Sequence, residues 1–190
     1  MVREEFWKTK EQVESAVTGI YASMLGSTSG DRPLTEYLFI WGEGRGDMVA
    51  PGFRASADEQ DIVNLNMLST NSFTNWRSFY QTINYCNTVI DQAPAVLGTD
   101  NTFSQDQLNR ATGEALTIRA LMYFYLVRSF GAVPLKLTAT LSDKEVAPLG
   151  KSGQDTILKQ IVADLQKAEP FYLSPMAIKV LTRAALPAIL

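Results

Sequence analysis

Apolar residues recur at helical spacing through most of the chain. Val13, Ala16, Val17, Ile20, Tyr21 and Met24 follow one another at i, i+3, i+4, i+7, i+8 and i+11, which is the stripe of a helix with one buried face. Thr9 and Gln12 precede it at capping-box spacing, and the small polar run from Gly26 ends it. A second stripe, Trp76, Phe79, Tyr80, Ile83, Cys86, Asn87 and Ile90, is closed by Pro94. The third helix is predicted from about Gln105 to Ser129, with Leu108, Ala111, Ala115, Ile118, Met122 and Tyr125 on its main face. Gly131 supplies its stop and Pro134 prevents continuation. A fourth starts after Ser152, whose spacing to Asp155 again suits a capping box, and carries Ile157, Ile161, Leu165 and Ala168. A fifth, from about Pro175, contains Ile178, Leu181, Ala185 and Ile189 until Pro187 kinks or ends it.

Between the first two stripes the periodicity fails. From Leu34 to about Asp61 there are glycines at 42, 44, 46 and 52 and a proline at 51. The stretch reads as one long irregular loop spanning 30–62, opened by a short strand-like piece, Leu38 to Trp41, and closed by acidic residues. The other strand signal is Val133 to Leu137. Five helices joined as antiparallel pairs make an all-α architecture. No clean internal repeat is visible, so periodicity alone does not establish a solenoid.

The third helix is unusual in having almost no polar face. Tyr123, Phe124, Tyr125 and Leu126 stand about 100° apart and so cover its whole circumference, which requires at least two packing partners. Arg119 and Arg128 interrupt the run; their stems are expected to be buried and their guanidiniums to reach carboxylates or helix-end carbonyls.

Composition narrows the function. The chain has 190 residues, enough for one domain with a real core. Its 17 basic and 20 acidic residues leave a net charge of −3 without a basic cluster, so no nucleic-acid footprint is present. There is no histidine, which removes Ser-His-Asp, Cys-His and imidazole-metal sites. The one cysteine, Cys86, lies on an apolar helix face and is expected to be an inert core residue. No apolar run of membrane-spanning length is free of charge, and MVREEFWKTK lacks the apolar segment of a secretory signal.

The pattern from Glu114 to Leu135, EALTIRALMYFYLVRSFGAVPL, closely resembles the signature helix of the SusD/RagB family, the outer-membrane nutrient-binding lipoproteins of Bacteroidetes. FWKTKEQVESAVTGIYASM is similar to that family's first helix. WRSFYQTINYCNTVID resembles its W-x-x-x-Y-x-x-I-x-x-x-N helix through Trp76, Tyr80, Ile83 and Asn87. GEGRGDMV stands where members carry a short acidic segment ending in Asp, here Asp47. The resemblance covers roughly residues 6 to 170. It implies antiparallel helical hairpins in a TPR-like array, oligosaccharide (sometimes peptide) binding without chemistry or cofactor, and docking on a SusC-like TonB-dependent transporter. It also implies a lipid anchor at the outer-membrane surface; that anchor and the family's second, loop-rich half have no counterpart in these residues. The chain is therefore expected to be the N-terminal part of a SusD-like helical domain, leaving apolar surface for a partner or a second copy to cover.

Sugar recognition uses flat aromatic faces with carboxylates, amides and arginine around them. Trp41, Glu43, Arg45, Asp47, Phe53 and Arg54 concentrate these groups in the expected loop, and Trp76 and Arg77 with Asn71 and Asn75 form a second group at a helix start. Against this, Trp76 and Tyr80 share a stripe with Ile83 and read first as core, and Asp47 reads as a local backbone acceptor. Gly42-x-Gly44-x-Gly46 lacks dinucleotide-loop spacing, and the Arg45-Gly46-Asp47 tripeptide occurs readily by chance. Asp58, Glu59 and Asp61 lack EF-hand spacing and read as a solvated acidic turn, so no metal site is expected. Glu43 and Asp47 could be paired for glycoside hydrolysis, but no spacing in sequence fixes their separation. Three functions remain in view: a glycan-binding accessory of an importer, a helical docking module, and a hydrolase.

Overall fold

The computed structural model describes residues 6–26, 33–46, 48–142 and 148–172. Among the described residues there are six α-helices: α1 (Lys10–Ser23), α2 (Leu34–Gly42), α3 (Ala57–Val63), α4 (Arg77–Gln92), α5 (Gln105–Phe130) and α6 (Gln154–Ala168). Short 3₁₀ turns cover Glu43–Arg45, Ser72–Thr74, Ala93–Gly98 and Glu169–Phe171. Strands β1 (Val133–Pro134) and β2 (Lys151–Ser152) form a minimal antiparallel ladder, with Val133 opposite Ser152. The chain is all-α, as its periodicity predicts; the expected helix from about Pro175 lies outside the described residues. It forms two compact units, one taking residues up to Thr18 and from Ile83 onward, the other Gly19–Thr82.

The first unit is organised on α5. Ser104 and Gln107 close a full capping box at its start: the Ser104 N–H donates to Gln107 Oε1 at 2.8 Å and the Gln107 N–H to Ser104 Oγ at 3.3 Å. Ile118, Arg119 and Ala120 are buried in succession, so water is excluded from nearly the full circumference. Gly131 ends the helix with φ of 72°, and its N–H closes on the Val127 carbonyl at 2.9 Å. The chain then returns as α6, antiparallel to α5. Gly113 permits the far end of this hairpin to close, since a Cβ there would stand 3.2 Å from that of Phe171. The expected Ser152 cap does not form. Ser152 is paired in β2, and Gly153 occupies the N-cap of α6 without a side-chain bond.

Arg119 fulfils the expectation of a buried stem and paired head. Its Nε and Nη2 donate to the two Asp164 oxygens at 2.8 and 2.7 Å, and Nη1 donates to Asn87 Oδ1 at 2.7 Å. Arg128 does not: it is exposed, with its guanidinium 5.3 Å from the centroid of the Phe124 ring.

After β1 the chain runs extended across α4 and α5, held by side chains that bond its backbone. Tyr123 Oη donates to the Lys136 carbonyl at 2.8 Å and accepts from the Lys136 N–H at 2.7 Å. Asn87 Nδ2 donates to the Lys136 and Thr138 carbonyls. Asn84 clamps Thr140 from both sides, accepting from its N–H at 2.7 Å and donating to its carbonyl at 3.1 Å, and Asp91 accepts from the Ala139 N–H.

The second unit replaces most of the expected long loop with helix. Leu34, Tyr37, Ile40 and Trp41 stand at i, i+3, i+6 and i+7 and are all buried on one side of α2, so the piece before Trp41 is helical rather than strand. The acidic stretch is the start of α3, where Ser56 and Glu59 form a second complete capping box. The core here is aromatic. Trp41 stacks on Phe79 with ring centroids 4.9 Å apart and planes 17° apart, while Tyr37 meets Trp41, Phe73 and Phe79 edge to face.

Candidate ligand-binding face

The second unit holds the sequence-predicted site residues, and the structure sorts them into core and surface. Trp41 belongs to the core. It is 6% exposed, its Nε1–H donates to the Phe73 carbonyl at 3.0 Å, and Phe79 occupies its ring face. The expectation of a loop tryptophan offering its face to a sugar is thereby corrected: α2 turns this indole inward, where its one polar atom is satisfied by backbone.

Asn71 is likewise buried. Its Oδ1 accepts from the Phe73 N–H and its Nδ2 donates to the Asp58 carbonyl, so it fixes the Ser72–Thr74 turn against α3. Asp58, Glu59 and Asp61, expected as a solvated turn, are engaged in building α3 and its surroundings. Asp58 Oδ2 accepts from the Ser72 N–H, Glu59 Oε2 from the Ser56 N–H, and Asp61 Oδ1 from Asn66 Nδ2. Among the described residues, no group of three or more Cys, Asp or Glu side chains is placed to hold a metal ion.

Asn75 and Arg77 are exposed at the start of α4, where Asn75 Oδ1 accepts from the Arg77 N–H at 2.9 Å. Trp76 is half-buried, tilted against Tyr80 with centroids 6.3 Å apart. Glu43 and Arg45 are exposed on the 3₁₀ turn that follows α2. Asp47 lies outside the described residues.

Phe53 and Arg54 form an exposed pair on the surface. They occupy the two central positions of a β-turn closed by the Ala55 N–H donating to the Gly52 carbonyl at 3.0 Å. Gln60 Nε2 holds the Ala55 carbonyl at 2.8 Å, and Ser56 begins α3, so a helix fixes the base of the turn. Phe53 is 95% exposed, and the Arg54 guanidinium lies 5.4 Å from its ring centroid. An aromatic plane with a hydrogen-bonding cation beside it can stack on the C–H face of a sugar and bond its hydroxyls. Met48, also 95% exposed, is an addition that the sequence pattern did not single out. Its signal was a short apolar run, Met48 to Ala50, set between glycines and a proline outside any helical stripe.

The chemistry of nucleophilic catalysis is poorly served by the sole cysteine. Cys86 is a buried free thiol whose burial pushes its pKa from 9.0 up to about 12, despite the opposing pull of Arg119.

Residues 8–189 match the profile of a SusD-like family described as "Starch-binding associating with outer membrane". This chain belongs to that SusD-like family. Among curated relatives, SusD-like protein P38 of Formosa agariphila is 29% identical over 170 residues, covering 87% of this chain and 31% of the relative. Among solved structures, a SusD superfamily protein from Bacteroides vulgatus has a TM-score of 0.73 at 27% identity, with 87% of this chain and 35% of that one covered. A laminarin-binding SusD-like protein has a TM-score of 0.70 at 26% identity, with 90% and 36% covered. The chain thus spans about a third of the length of these relatives. The SusD-like resemblance of the 114–135 segment is borne out in both sequence and fold, and α5 is the helix that carries it.

Proposed function

We propose that this chain is the N-terminal part of a SusD-like helical domain that captures oligosaccharide at the outer-membrane surface. The captured glycan would pass to a SusC-like TonB-dependent transporter without being cleaved. The observation that carries this reading is the Phe53–Arg54 turn, an exposed aromatic plane and guanidinium on a base fixed by α3. Arg45, Arg54, Asn75 and Arg77 supply exposed polar groups on the same unit, and Glu43 adds a carboxylate. The family's description and the laminarin-binding relative support glycan as the ligand class.

Affinity electrophoresis of the 190-residue chain in gels containing soluble starch, laminarin or other polysaccharides tests the reading. Retardation by one glycan, reduced in Phe53→Ala, is the expected result. Uniform migration in every gel would discard it.

A second reading is favoured by Met48 and Phe53 together. Exposed methionine, phenylalanine and arginine are typical of protein interface cores, so the same turn would serve as a docking contact on the transporter. Co-purification with the transporter that survives in wild type and fails in Phe53→Ala, with glycan retention unaltered, would assign the turn to docking.

A further inference from the structure

A concave feature lies wholly within the other unit. A groove of about 260 Å³ separates one turn of α1 from two turns of α5 and is lined by Val13, Glu14 and Val17, by Phe103, and by Gln107, Arg110, Ala111 and Glu114. Val13, Val17, Ala111 and Phe103 give it an aliphatic and aromatic floor, while two carboxylates, a carboxamide and a guanidinium stand on its walls. Gln107, Arg110, Ala111 and Glu114 follow at i, i+3, i+4 and i+7, which aligns them along a single face of α5.

We propose that this groove is a subsite for a neutral sugar residue, separate from the Phe53–Arg54 turn. The inference rests on the reading of the chain as a glycan binder. Three features select the ligand. The length is short: Gln107 to Glu114 is seven residues, about 10 Å of helix at 1.5 Å per residue. A docking helix of ten or more residues would overhang it, whereas about one or two sugar rings fill a volume just below the usual range of ligand pockets. The α5 wall carries donors and acceptors and the α1 wall the Glu14 carboxylate, beside apolar lining, and sugar hydroxyls donate and accept at once above a C–H face. One guanidinium against two carboxylates leaves the groove net negative, which disfavours sulfated or uronic glycans.

The test is a titration of the isotope-labelled 190-residue chain, followed by amide chemical shifts, with malto- and laminari-oligosaccharides and with a sulfated carrageenan oligosaccharide. The expected result is a set of shifts confined to residues 13–17 and 107–114, with Phe53→Ala leaving them in place. Arg110→Ala and Glu114→Gln are each expected to weaken the neutral ligand roughly tenfold, and the carrageenan fragment is expected to leave these amides unmoved. Glycan binding that depends on Phe53 but moves no amide on α1 or α5 would overturn the groove and leave the glycan reading intact. Equal response to the sulfated fragment would overturn the groove's ligand class, and silence toward every glycan would overturn both readings.

Discussion

Arg119 and Asp164 face each other across the α5–α6 hairpin in a two-point ion pair, 2.8 and 2.7 Å long, from which water is almost entirely excluded. Two helices are joined there by charge rather than by apolar contact alone. Asn87 Oδ1 and the Leu137 carbonyl take further Arg119 donors, and Gln160 Nε2 reaches Asp164 Oδ1, so little of the hydrogen-bonding capacity of either side chain is left over.

Removing one member should therefore be far more harmful than removing both. Arg119→Met alone strands a buried carboxylate and is expected to cost about 3–5 kcal/mol in denaturant unfolding. Arg119→Met with Asp164→Leu should recover a substantial part of that loss. A double variant no more stable than the single one would contradict this account.

Trp41 and Phe53 make an informative pair because the sequence treats both as candidate sugar platforms while the structure buries one and exposes the other. Trp41→Ala is expected to cost about 3–5 kcal/mol in stability through the cavity left beside Phe79. Phe53→Ala is expected to change stability by less than about 0.5 kcal/mol while reducing glycan retardation. Thermal melts run beside the affinity gels separate the two effects.

Gly131 should resist substitution for a backbone reason. At φ of 72° a Cβ is strained, and it would also meet the Gln154 side chain at 3.3 Å. Gly131→Ala is expected to lower stability by roughly 1–3 kcal/mol, read as a shift of the urea midpoint at unchanged slope.

Alkaline titration should expose the buried thiol and phenol. Burial raises Cys86 from 9.0 to about 12 and Tyr123 from 10.0 to about 12. The folded state therefore holds these protons more tightly than the unfolded chain does. Stability that is fully present below pH 9.0 should fall as the pH climbs toward 12. Cys86 should also stay unreactive toward a thiol reagent at pH 8 until denaturant is added. Asp100 has the opposite sense. The Thr102 hydroxyl and the Lys10 and Thr102 N–H groups hold its carboxyl below 3.8, so its contribution is present above that pH and fades on further acidification. Asp100→Asn should flatten the acid limb of the stability curve.

The sequence is most legible where one periodicity runs long. The stripes of α1, α4, α5 and α6 each extend over three turns or more, and the structure places a helix under each. It is least legible between Leu34 and Val63, where α2 and α3 are nine and seven residues long and the connection between them carries several glycines. In α2 the buried spacing is present, but Leu38 and Phe39 fall between its members and turn the stripe into an unbroken apolar run. In α3 the Ser56-x-x-Glu59 signature was there to be read, and the adjoining acidic residues obscured it. The candidate site divides for a related reason. A tryptophan beside glycines has the composition of a ligand platform, and whether its indole points in or out depends on tertiary partners such as Phe79.

The extended segment after β1 has its path dictated from outside. Asn84, Asn87, Asp91 and Tyr123 hold Lys136, Thr138, Ala139 and Thr140 through N–H and carbonyl groups, which every residue except proline can offer. The instructions for this stretch are therefore written in the helices beneath it. Its own side chains are at liberty to vary without rerouting the chain, while a change of Asn84 or Asn87 would erase directions that the segment does not itself contain.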